Sequence, residues 1–126
     1  MTPVDRDLSG DVLGFNLDAE MRTAREELKA GPARIARTLV KEGPLRLTLI
    51  GLGPGASIRP HQADAPITIH VLEGEILLEA GGEIQRLSHG SLAALDRGVR
   101  HAVSAPKGAF FLLTLTGQPR PEEEPP

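Results

Sequence analysis

The side chains with the widest chemical reach in this sequence are its histidines, His61, His70, His89 and His101. Imidazole ligates transition metals and exchanges protons near neutral pH. The chain holds no cysteine, which removes disulfides, thiolate metal sites and thiol nucleophiles. Arg59 lies just before His61, and Arg97 and Arg100 lie just before His101. Brought together, they would form a cationic rim that attracts an anionic ligand; ordinary charged loop ends are the plainer reading of the same residues. A divalent transition metal is held by three or four N, O or S donors. His61 and His101 supply two of these, and Asp64, in the segment after His61, ranks first as a third ligand, with His70 second. If Ile67, Ile69 and Val71 point into a core, strand alternation turns His70 outward. Gln62 is placed to orient a ligand by hydrogen bonding. His89, in a Ser-His-Gly turn, reads as solvated.

Other chemistries lack their residues. Gly51-Leu52-Gly53-Pro54-Gly55 follows a strand pattern instead of opening a helix, and Pro54 would interrupt the amide cradle of a phosphate loop. No Gly-x-Ser-x-Gly elbow occurs. The formal net charge is -3 and the only aromatic residues are Phe15, Phe110 and Phe111, so neither a basic face nor a stacking platform for nucleic acid is present. No run approaches the ~20 apolar residues that cross a bilayer, and the polar start of the chain does not read as a signal peptide. A cytoplasmic protein with no membrane or nucleic-acid partner is expected.

The elements that must position the histidines are mostly strands. Asn16 is a candidate helix N-cap. Leu17, Met21, Ala24 and Leu28 follow at helical spacing, with Arg22 and Glu26 four apart on the wet face. Gly31 and Pro32 end this helix, which reads as a lid on the domain or a dimer contact. Strands are predicted at 35–41, 45–52, 67–72, 75–80, 83–87, 91–95, 101–105 and 109–116, most of them separated by glycine-containing turns. Leu45, Leu47 and Leu49 alternate with Arg46 and Thr48, the period of a half-buried strand. Many short strands with regular turns predict an all-β sandwich or barrel. A chain of 126 residues suits one such domain. It divides into an arm and helix over 1–33, a barrel over 34–117, and an acidic, proline-rich tail over 118–126 that is expected to be disordered.

Two stretches resemble the paired motifs of the cupin superfamily over about residues 34 to 116. In the first, Gly55 is followed by five residues and His61, and Val71-Leu72-Glu73-Gly74-Glu75 carries the closing glycine at Gly74. In the second, Gly90, Gly98 and His101 fall at the family spacing, with Asp96 where proline is usual. The resemblance implies a double-stranded β-helix, a jelly-roll-like barrel. Metal-binding cupins commonly use two histidines and a glutamate from the first motif and a histidine from the second. Here Ala63 stands where the second histidine belongs and Ile67 where the glutamate belongs. The chain resembles an uncharacterised branch of small bacterial cupins that shares this degenerate first motif, which implies fold and homodimerisation more than chemistry. The expected ligand-binding set is His61, Gln62, His101 and Arg59. The metal set, for iron, manganese, nickel, copper or zinc, is His61, His101 and Asp64. With half the usual donors replaced by apolar residues, a metal-free pocket for a small molecule is favoured. The alternative is a metal-dependent enzyme of dioxygenase or isomerase type.

Overall fold

The structure, a computed structural model, describes residues 12–117; the first part of the predicted arm and the predicted disordered tail lie outside the described residues. Helix α1 spans Leu17–Lys29. Its start follows from Asn16, whose side-chain oxygen accepts from the Ala19 amide at 3.0 Å. Its end follows from Gly31, which takes a φ of 136° and donates its amide to the Leu28 carbonyl at 3.2 Å. The expected Arg22–Glu26 pair gives way to a Lys29–Glu26 pair at 3.2 Å on the same wet face.

Eight strands follow: β1 (Arg34–Glu42), β2 (Leu45–Leu52), β3 (Ala56–His61), β4 (Ile67–Ala80), β5 (Glu83–Ser88), β6 (Leu92–Leu95), β7 (His101–Ala105) and β8 (Ala109–Leu115). All their pairings are antiparallel. One sheet runs β1-β2-β8-β4-β6 and the other β5-β4-β7-β3, so β4 belongs to both. Its first half pairs with β8 and β6, and its second half with β5 and β7.

The sequence pattern splits β4 at Glu73-Gly74 into two strands; the structure keeps one strand and bends it there. The register shifts between Val71 and Glu73, and β8 stays paired through Gly74–Ala109. Gly74 has a φ of 81°, and a Cβ built on it would meet the Gly108 carbonyl oxygen at 2.5 Å. Only glycine allows both this backbone turn and this close approach, so the strand changes sheets without breaking its ladder.

Strand β3 is an addition to the predicted elements. Its sequence, Ala-Ser-Ile-Arg-Pro-His, is short and contains Pro60, which argues against a strand when read alone. It survives as a sheet edge, paired only with β7.

Two cores result. Inside the barrel, Ile50, Leu52, Ile69, Val71, Val103 and Phe111 pack with their neighbours from both sheets. Outside it, Met21 and Ala24 of α1 pack on Leu39, Val40, Leu49 and Phe110, with Leu45 and Leu47 partly buried against them. The leucine face of β2 therefore lies under the helix. Arg46 and Thr48 face the other way, toward the barrel mouth.

Candidate functional site in the barrel mouth

The site is built on the pairing of β3 with β7. Ala56, Ser57 and Ile58 oppose Ala105, Ser104 and Val103 in order, and then the register shifts so that His61 opposes His101. Without that extra residue, Pro60 would face His101 and strand alternation would turn His61 to the outside. The bulge at Arg59-Pro60 re-aims the imidazole, a use of bulges that recurs beside functional sites. The two rings stand 4.3 Å apart between centroids, tilted by 55°. His101 is buried and His61 is exposed at the mouth.

Both rings are fixed by the same local contact. His61 Nδ1 lies 3.0 Å from the Arg59 carbonyl and His101 Nδ1 lies 2.9 Å from the Val99 carbonyl, in each case two residues back. A carbonyl only accepts, so each Nδ1 carries the proton and donates it. In the neutral rings this leaves both Nε2 atoms with free lone pairs, the tautomer that accepts a ligand's hydrogen bond or binds a metal.

A cavity of about 190 Å³ opens beside them. His61, Ala63 and His101 line one side of it, and Arg46, Thr48, Ile67, Leu113 and Leu115 line the other. Register explains the second wall. Arg46 pairs with Leu115, which pairs with Ile67, and Thr48 pairs with Leu113, so the five residues form two adjacent rows across β2, β8 and β4. The loop between β3 and β4 is pinned to the turn before β7. Gly98 donates its amide to the Ala63 carbonyl at 2.9 Å, and Arg97 Nη1 reaches the Asp64 carbonyl at 2.5 Å.

The other predicted site residues are dispersed. Asp64 is exposed and its carboxylate lies 3.7 Å from Arg97. Gln62 is exposed and is not among the residues lining the cavity. The Arg59 side chain is exposed and borders a separate outer hollow with Pro60 and Glu79, so its contribution to the site is the carbonyl that holds His61. Arg100 borders a different hollow, one that His101 also lines. His70 sits on the opposite face of β4 from Ile69 and Val71, and His89 is exposed in its turn. Arg46 and Thr48 are the mouth residues that sequence reasoning did not select. Their signal was visible as the polar half of the β2 alternation.

The model of the cupin domain matches residues 40–114, more than half of the chain. The chain belongs to the cupin family. No curated protein is similar to it in sequence at a significant level. Among solved structures, this cupin resembles a conserved protein of unknown function from Streptococcus pyogenes, at 20% identity and a TM-score of 0.67 over 95% of this chain and 98% of that one. It resembles a conserved barrel domain protein of the cupin 2 type from Leptotrichia buccalis at 27% identity and a TM-score of 0.65, over 69% of this chain and 42% of that one. Salicylate 1,2-dioxygenase from Pseudoaminobacter salicylatoxidans shares the fold at 16% identity and a TM-score of 0.72; 81% of this cupin covers 32% of the dioxygenase.

Cupins often bind a metal, and the donors present in this cupin do not fit one. Ala63 and Ile67, standing where the metal-binding pattern has histidine and glutamate, do line the cavity, and they bring no donor atom to it. Among the described residues no three His, Cys, Asp or Glu side chains come together in a group able to hold an ion. Two imidazole nitrogens fall short of the three or four donors of a resident divalent metal. Among the described residues, no helix is long and apolar enough to cross a membrane.

Proposed function

We propose that this cupin binds a small organic molecule in the barrel mouth, gripped by the Nε2 atoms of His61 and His101 and by the apolar side chains facing them. The observation that carries the reading is the cross-strand histidine pair, both Nδ1 protons committed to backbone carbonyls, beside a cavity of about 190 Å³. That volume is about six waters at ~30 Å³ each, so the ligand is compact. A pocket with an apolar wall and a few convergent polar atoms is the usual form of a small-molecule site.

The test is native mass spectrometry and elemental analysis of protein purified without a histidine tag, beside His61→Ala and His101→Ala. A metabolite released from the wild type on denaturation, reduced in both variants, and no stoichiometric metal would support the reading. Near-stoichiometric metal lost in both variants would replace it with the second one, a metal-dependent enzyme of dioxygenase or isomerase type. That reading is favoured by the two free Nε2 atoms, and it would need the ligand or water to complete the coordination. Loading with iron, manganese, nickel, copper and zinc in turn decides it.

The macromolecular partner proposed is a second copy of the chain. Among the described strands, β1, β3, β5 and β6 each pair along one edge only, and an open edge invites strand pairing. Sedimentation equilibrium at high micromolar concentration should show a dimer, and a monomer would remove this proposal.

A further inference from the structure

We infer that Arg46 selects a carboxylate, so that the pocket takes a compact hydroxycarboxylic acid whose acid and hydroxyl groups lie at opposite ends; this rests on the small-molecule reading above. Arg46 lies on β2 and lines the mouth cavity. Among the described residues its guanidinium has no hydrogen bond or ion pair. Several other arginines of the fold are engaged, and what sets Arg46 apart from the remaining exposed cations is its place in the lining of the mouth cavity. Arg97 meets Asp64, Arg25 meets Glu73, Arg37 meets Glu20 and Glu27, and Arg86 meets Glu75.

The cavity is polarised from one wall to the other. Arg46 belongs to the β1-β2-β8-β4-β6 sheet and the two histidines to the opposite one. Packed sheets lie about 10 Å apart. A guanidinium offers a planar fork of donors that matches a carboxylate. In the neutral rings, with Nδ1 donating to a carbonyl, Nε2 offers only a lone pair, which calls for an O–H or N–H donor. Between these ends the lining is apolar, from Ile67, Leu113 and Leu115. A carboxylate at Arg46, a short carbon body on the leucines and a hydroxyl donating to His101 matches the cationic end, the apolar middle and one of the two imidazoles.

The experiment is isothermal titration of the full chain with two matched pairs, 4-hydroxybenzoate with 4-hydroxybenzamide and 4-hydroxybutyrate with 4-hydroxybutanamide. Each amide keeps the hydroxyl and the body and removes the charge. At least one acid should bind about tenfold more tightly than its amide, the worth of one charge-assisted contact. Arg46→Gln should abolish that preference, weakening the acid far more than the amide, and Arg46→Lys, which keeps the charge and loses the fork, should fall between. Circular-dichroism melts confirm that the variants fold. Equal binding of acid and amide to the wild type, a preference that survives Arg46→Gln, or no binding of either acid at millimolar concentration would overturn the inference. His101→Ala separates it from the reading beneath it. Acids that bind this variant as well as the wild type, with a preference still lost in Arg46→Gln, would leave the arginine's role standing and remove the histidines'.

Discussion

Two arginines on neighbouring strands are used in opposite ways. Arg37, on β1, is 3% exposed under α1, where it meets Glu27 and lies 3.9 Å from Glu20. Its Nε and Nη1 are buried with no hydrogen-bond partner. Arg46, on β2, is exposed at the barrel mouth with no partner at all among the described residues. Both belong to the β1-β2 ribbon, one on the face that the helix covers and the other on the face that looks into the barrel. The covered charge is tied to two carboxylates of α1 and fixes where the helix sits. The open charge makes no ion pair among the described residues, which leaves it available to the ligand proposed above.

That contrast is open to breakage from the helix side first. Arg37→Ala should cost about 3 kcal/mol in urea unfolding, because it removes the buried partner of Glu27 and the side-chain volume under α1; the low end of the range applies since Glu27 is 39% exposed. Arg37→Met should lose clearly less, as it refills the volume and removes two unsatisfied donors. If the two variants are equally damaged, the ion pairs rather than packing hold the helix.

Next in size is the hinge that joins the two regions. Gly74→Ala forces a side chain into a φ of 81° against the Gly108 carbonyl, and should cost about 2 kcal/mol by thermal unfolding. It should also loosen the mouth, since β4 carries Ile67 to the cavity.

Removing the cap with Asn16→Ala should cost about 1 kcal/mol and leave ligand binding at the mouth unchanged, which calorimetry would check. Smallest is Arg46→Gln, expected to shift stability by no more than about 0.5 kcal/mol. A larger loss would mean that Arg46 serves the fold and that the two arginines are not opposites after all.

Much of this was legible before the fold was known. The helix was readable because every signal for it is local: a cap at Asn16, a stripe at Leu17, Met21, Ala24 and Leu28, and a stop at Gly31-Pro32. The paired motifs around Gly55, His61, Gly74, Gly98 and His101 pointed to the barrel because each glycine answers a turn that only glycine makes easily. Strand β3 was not legible, because proline and polar residues hide an edge strand whose partner lies some forty residues away in sequence, by about that count. Gln62, Arg59 and Asp64 lie near His61 in sequence, but a loop sends neighbours in different directions. Arg46 was passed over because its strand showed leucines on one face, and those leucines belong to the core beneath the helix.

The sequence by itself determined that this is a cupin barrel with two histidines in its motif positions and apolar residues at Ala63 and Ile67. It could do so because turn glycines and a two-residue hydrophobic period are properties of short segments. Tertiary structure alone decided that His61 faces inward and that Arg46 joins it. Alternation sorts residues into two faces without saying what each face meets. That answer comes from distant partners: the bulged register against β7 for the histidine, and α1 covering the opposite face of β2 for the arginine.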